Sequence, residues 1–241
     1  LDNTTNPTLE EQKRVLEQIT QKFTGTIVYR TLDIGGDKQV DYLKLPSEEN
    51  PFLGVRGIRL LLDDLELFDS QVKSILNSES LERIKIMFPM IATIEDFIEA
   101  KEFIAKTAYD LNVEVPPLGI MVETPSSALI ADKLSEIVDF ISIGTNDLTQ
   151  YIMAADRGNN NLSSYQDPLH PAILRAISNV IDCCNANNTE VSVCGEMSSD
   201  PISAFVLYIL GLKIFSMAPS ASPFVFDVLN TVSYTHLTLP T

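Results

Sequence analysis

Ser142-Ile-Gly-Thr-Asn-Asp-Leu-Thr-Gln-Tyr151 decides how the rest of this chain is read. An apolar run from Val138 to Ile143 stops at Gly144, and an amide, a carboxylate and two hydroxyls follow at once. The pattern predicts a buried strand that carries polar groups to its carboxyl end, where barrel enzymes keep their chemistry. Its plainer alternative is a strand entering a capped helix, with Asn146 and Asp147 occupied by backbone donors.

The same event recurs on either side. Upstream, Thr8-Leu-Glu-Glu11 has capping-box spacing and opens a helix to about Phe23. Ile27 to Ile34 reads as a strand holding Arg30 and Asp33, and Gly35-Gly36-Asp37-Lys38 as a turn that brings backbone close to a ligand. Gly54-Val-Arg56-Gly57 leads into a helix to about Asn77, with Arg56 at its mouth. Ile84-Lys-Ile-Met-Phe-Pro-Met90 has the composition of a parallel strand buried on both faces, and Thr93 caps a helix to about Leu111. Leu118 to Glu123 is a further strand; Thr124 and Pro125 suit the N-cap and first helical position, which leaves Glu123 at the strand-helix junction. Downstream, Pro171 starts a helix to about Asn185, and Glu190 to Val193 forms a strand ending in Cys194-Gly-Glu196. Asp200-Pro201 begins a helix that Gly211 stops, Ile214 to Met217 is the last strand, and Ser222-Pro223 opens the last helix.

Six strands separated by helices imply an α/β fold with a parallel sheet. The choice lies between an open doubly wound sheet and a barrel. Arg30, Glu123, Asn146, Asp147 and Cys194 arrive at the ends of successive strands, which fits the one-sided face of a barrel better than a single crevice. No Gly-X-Gly-X-X-Gly or Walker loop is present. The expected fold is therefore a (β/α)8 TIM barrel; it requires eight strands where six are counted, so either two are missed or the barrel in this chain is incomplete.

Composition narrows the function. The 241 residues carry 17 Lys and Arg against 33 Asp and Glu, a net charge of −16 that opposes nucleic acid and anionic membrane partners. The three cysteines, Cys183, Cys184 and Cys194, are too few and too clustered for a disulfide framework. With no signal-like start and no apolar run long enough to span a bilayer, a cytoplasmic protein is expected.

Glu123 and Asp147, at the ends of consecutive strands, suit two carboxylates sharing a hard divalent cation, Mg²⁺ being the natural choice; the alternative is that each acid caps its helix. Arg30, Arg56 and Arg157 suit a phosphate, or form ordinary ion pairs in an acidic protein. Cys194 is either a proton-exchanging thiol or a small core residue, whereas Cys183 and Cys184 read as packing residues. His170 and His236 receive no catalytic role.

Arg30-Thr-Leu-Asp-Ile-Gly-Gly-Asp-Lys38, Pro51-Phe-Leu-Gly-Val-Arg56, Met87-Phe-Pro-Met90, Met121-Val-Glu-Thr-Pro125, Ser142 to Tyr151, Asp156-Arg-Gly-Asn159 and Cys194-Gly-Glu196 together resemble the phosphoenolpyruvate-utilising enzymes. The resemblance runs from about Thr8 to about Thr231, with its motifs in the family's order. Pyruvate phosphate dikinase and phosphoenolpyruvate synthase share the Asn-Asp and Cys-Gly elements. The Asp-Arg-Gly-Asn and Arg30 to Lys38 stretches favour the phosphoenolpyruvate-protein phosphotransferases, enzyme I of bacterial sugar uptake.

The resemblance implies that Glu123 and Asp147 hold Mg²⁺, and that Arg30, Arg157, Asn146 and Asp147 bind phosphoenolpyruvate. It also implies that Arg56 supports the phosphate and that Cys194 protonates the enolate carbon to give pyruvate. It implies a phosphoryl-accepting histidine in a separate upstream domain, a histidine-containing carrier protein as partner, and a homodimer paired through the barrel. Besides a dikinase or synthase, a non-catalytic phosphoenolpyruvate-binding and dimerisation module is the rival. The acceptor domain lies outside this sequence, and two barrel strands are expected before Leu1. The barrel domain is expected over residues 1–232. Ser233 to Thr241 resembles nothing in the family, and its alternation predicts an exposed strand.

Overall fold

The structure, a computed structural model, describes residues 5–35, 43, 45 and 47–238, with side chains to residue 231. In chain order the elements are α1 (Leu9–Lys22), β1 (Ile27–Arg30), α2 (Ile58–Asp63), α3 (Leu65–Leu76), β2 (Ile84–Phe88), α4 (Ile94–Leu111) and β3 (Leu118–Val122). There follow α5 (Pro125–Leu129), α6 (Ala131–Leu134), β4 (Phe140–Gly144), α7 (Thr145–Met153), α8 (Pro171–Asn187), β5 (Glu190–Cys194), α9 (Glu196–Ser199), α10 (Pro201–Ile209), β6 (Ile214–Phe215) and α11 (Ser222–Thr238). The six strands alternate with helices as expected, and the chain divides into two compact units, Leu1–Ile120 and Met121–Thr241.

In the first unit β1 pairs parallel to β2, and β2 to β3. Thr8 accepts a hydrogen bond from the Glu11 N–H while the Glu11 carboxylate accepts from the Thr8 N–H, so α1 starts on a reciprocal cap. Thr93 and Asp96 do the same for α4. The interior is aromatic: Phe68 stacks on Phe103 with centroids 4.6 Å apart and meets Phe88 edge-on at 6.4 Å, and Phe88 in turn meets Phe97 at 6.1 Å.

Several expected elements are shorter than their apolar runs: β2 stops at Phe88 instead of Met90 and β6 at Phe215 instead of Met217, and two further cases have a visible cause. β1 ends at Arg30 instead of Ile34: the Thr31 N–H still donates to the Met87 carbonyl, and the next N–H, of Leu32, goes to the Gln71 side chain at 2.9 Å. The helix expected to Asn77 is broken at Asp64, whose carboxylate accepts from the Leu67 N–H at 3.0 Å and starts α3 afresh. The Gly36 to Lys38 part of the expected ligand-facing turn lies outside the described residues.

In the second unit β4 pairs parallel to β5 in a register that sets Gly144 beside Cys194, and β5 pairs parallel to β6. α8 buries Ile173, Ile177, Val180, Ile181 and Cys184 along one stripe. At about 2 kcal/mol per buried aliphatic side chain, that stripe fixes the helix against the strands' faces far more strongly than its cap does. The cap is His170, whose Nδ1 accepts from the Ala172 N–H at 3.2 Å; the histidine thus starts the helix. The expected strand at the end of the chain is instead α11, which begins at Ser222 and runs to Thr238; there the backbone donors are satisfied within the helix, and residues 239–241 lie outside the described residues. Among the described residues no helix is long and apolar enough to cross a membrane.

Candidate functional site

The expected site residues fall into two groups, one in each unit. In the first unit Arg30 is the last residue of β1 and Arg56 lies two residues before α2. Both reach Asp33. The Arg56 Nη2 donates to the two carboxylate oxygens of Asp33 at 3.0 and 3.2 Å, and the Arg30 Nη1 donates to Oδ2 at 3.2 Å. Asp33 and Arg56 are each only 3% exposed, whereas Arg30 is 42% exposed. A buried charge is tolerable only when it is paired, so Asp33 is the group that allows a guanidinium to sit in this interior. Its role was missed in the sequence, although Arg30 and Asp33 stand at i and i+3.

In the second unit the ends of β3, β4 and β5 supply the rest. Glu123 follows β3 directly and is 1% exposed; Asp147, in the first turn of α7, is 6% exposed. Thr124 accepts from the Ser127 N–H and Pro125 is the first helical residue, so α5 has its own cap and does not use Glu123 as one. The Glu123 carboxylate passes so close to β4 that a Cβ on Gly144 would stand 2.9 Å from its Oε2. Arg157 forms an ion pair with Asp147 at 3.6 Å and is one-third exposed.

Cys194 and Asn146 are tied together across β4 and β5. The Thr145 hydroxyl donates to the Cys194 carbonyl at 3.0 Å, and the Glu196 N–H donates to the Asn146 Oδ1 at 2.9 Å. Gly195 has φ +95°, and a Cβ there would meet the Thr145 hydroxyl at 2.5 Å, so only glycine lets β5 end this near to α7. The Cys194 thiol donates to the Ile143 carbonyl at 3.5 Å, and the residue is partly exposed. Cys184, by contrast, is fully buried, and burial pushes its thiol up to about 12. Burial and the nearby acids Asp132 and Asp182 also raise that of Cys183. A cavity of about 200 Å³ opens beside Thr145, Asn146, Gln150, Arg157 and Glu196.

Among the described residues no three metal-ligating side chains form a cluster. Two buried carboxylates at neighbouring strand ends are nevertheless a suitable donor set for a small hard cation, which completes its shell with water and substrate oxygens.

This set of parallel strands with polar groups at their ends defines an α/β barrel-type binding domain. The chain belongs to the phosphoenolpyruvate-utilising enzymes: the family model described as "PEP-utilising enzyme, PEP-binding domain" matches residues 1–233. It is 46% identical over 225 residues to the phosphoenolpyruvate-protein phosphotransferase of Bacillus subtilis, covering 89% of this chain and 39% of that protein. With the Haemophilus influenzae protein of the same name it shares 40% over 244 residues, covering 97% and 42%. A multiphosphoryl transfer protein of Xanthomonas campestris is 43% identical over 92% of this chain and 27% of its own length. The chain thus spans about two fifths of the phosphotransferases it matches. In fold it is similar to Haloferax volcanii malate synthase, with a TM-score of 0.57 at 17% identity over 88% of this chain and 54% of that one. A citrate lyase of Burkholderia xenovorans gives 0.52 at 22% identity, over 66% and 53%.

Proposed function

We propose that this chain is the phosphoenolpyruvate-binding part of a phosphoenolpyruvate-protein phosphotransferase, which moves the phosphoryl group of phosphoenolpyruvate to a protein histidine and releases pyruvate. The carrying observation is the second unit's group of two buried carboxylates, Glu123 and Asp147, with Arg157 paired to the latter. Identity of 40% or more to phosphotransferases over nearly the whole chain supports the same assignment.

Glu123 and Asp147 would hold Mg²⁺, whose chemistry when bound is to offset negative charge on phosphoryl oxygens. Arg157 and Asn146 bind and orient the substrate. A loose phosphoryl-transfer transition state asks for positioned positive charge and little covalent chemistry, and guanidinium forks supply it. As the bond from phosphorus to the enol oxygen breaks, the phosphoryl group passes to the histidine nitrogen. Cys194 then gives its thiol proton to the terminal enolate carbon, forming the methyl group of pyruvate, and the thiolate recovers a proton from water. The thiol donates to the Ile143 carbonyl at 3.5 Å, which gives its proton a defined direction before this step. The histidine domain, the carrier protein, pairing into a homodimer and a cytoplasmic setting belong to the same proposal.

Calorimetric titration with phosphoenolpyruvate tests it. Binding should require Mg²⁺ and be lost in Arg157→Ala; equal affinity with and without the metal, or in the variant, would reject the assignment.

A further inference from the structure

We infer that Gln150 is the positioning residue that aims Arg157, an inference that rests on the substrate-binding role proposed for that arginine. Gln150 lies in the last full turn of α7 and is 6% exposed. Its Oε1 accepts from the Arg157 N–H at 2.9 Å, seven residues ahead. Its main-chain carbonyl accepts from the N–H groups of Ala154 and Ala155, the latter at 3.1 Å. One residue therefore holds the turn after α7 at three points. Ala154 takes φ 50° in that turn, a conformation that an L side chain adopts only when its surroundings hold it there.

The consequence reaches the arginine's charge. α7 grips Arg157 twice, by its backbone through Gln150 and by its guanidinium through Asp147, whose ion pair spans 3.6 Å. Gln150 and Arg157 also border the same cavity. Without the Gln150 acceptor, the turn is released at the residue that carries the guanidinium. A buried neutral amide is well suited to this work, since it fixes the turn without adding charge next to the Asp147 pair.

The test is a double-mutant cycle on the full chain, with Gln150→Met, which keeps length and removes the acceptor, and Gln150→Glu, which restores an acceptor oxygen. Phosphoenolpyruvate is titrated in Mg²⁺ with Arg157 present and with Arg157→Ala, and exchange of the residue 157 amide is followed by NMR without ligand. With Arg157 present, Gln150→Met should weaken binding by about tenfold and Gln150→Glu should recover most of it. In the Arg157→Ala background Gln150→Met should change nothing further, because the side chain it aims is gone. The amide of residue 157 should exchange faster in Gln150→Met. Equal weakening in both backgrounds would make Gln150 a merely structural residue and overturn the inference, as would unchanged affinity or unchanged amide exchange. If Arg157→Ala alone leaves affinity intact, the substrate-binding role of Arg157 is what fails, and the amide exchange still decides whether Gln150 holds the turn.

Discussion

Asp33 in the first unit and Asp147 in the second both receive a guanidinium, yet the two pairs are built for different work. Asp33 takes Arg56 in a two-oxygen contact with both side chains 3% exposed, and Arg30 closes on the same carboxylate from the surface. Asp147 meets Arg157 at 3.6 Å, with the arginine one-third exposed on a turn outside any helix or strand. The first arrangement fixes charge in place at the cost of desolvation; the second leaves an arginine able to change partner. Removing one partner of a short, buried pair leaves an uncompensated buried charge, whereas a longer pair with an exposed arginine loses little.

The contrast can be broken most directly at Asp33. Asp33→Ala leaves the buried Arg56 without that acid and is expected to cost about 3 to 5 kcal/mol in chemical denaturation; a loss under about 1 kcal/mol would show that the first pair is no tighter than the second. Next in size is Gly195→Ala, expected to cost about 1 to 3 kcal/mol, since the added methyl meets Thr145 and the backbone sits at positive φ. Its cost should appear in melting experiments together with weaker phosphoenolpyruvate binding. Arg157→Ala should change stability by less than about 1 kcal/mol while weakening the ligand at least about tenfold. The same urea titration used for Asp33→Ala measures the first figure and calorimetry the second.

The smallest effect at neutral pH is that of Cys184, and it tests how tightly the core of the second unit is closed. Its thiol is raised in the folded chain from about 9 to about 12, so the folded state keeps a proton that the unfolded chain gives up. The stability this group contributes is present below about pH 9 and falls as pH rises toward 12. Cys184→Val should flatten that alkaline fall in a pH series of denaturation curves; an identical slope in both proteins would mean the thiol is not sealed in the core.

Local signals carried most of the fold. The Thr8/Glu11 and Thr93/Asp96 caps, the Thr124-Pro125 helix start and the apolar run of β2 are each written within a few consecutive residues, and each is found where expected. The end of β1 was not legible, because Gln71 captures the Leu32 N–H from 39 residues away. Nor was the break at Asp64, where one carboxylate satisfies a new helix start inside a continuous helical pattern. For the site, the positions of Glu123, Asp147 and Cys194 at strand ends could be read from where polarity begins after an apolar run. That Asp33 holds both Arg30 and Arg56 could not, since the contact with Arg56 joins residues 23 positions apart. The terminal residues mislead for a related reason: alternation alone says nothing about whether a helix begun at Ser222 continues through them.

The aim of the Cys194 sulfur is decided at the other end of its strand. α8 stops at Asn188, whose φ of 55° reverses the chain, and Thr189 is the single linking residue before β5, anchored by its hydroxyl to the Ser135 carbonyl at 2.6 Å. At roughly 3.3 Å per residue this hinge lies about 16 Å from Cys194, yet it sets the phase of every side chain between them. Lengthening this link by one residue, with the pairing of β5 otherwise kept, would turn the thiol to the opposite face of the sheet, so the direction of one side chain is set by a bend about five residues away.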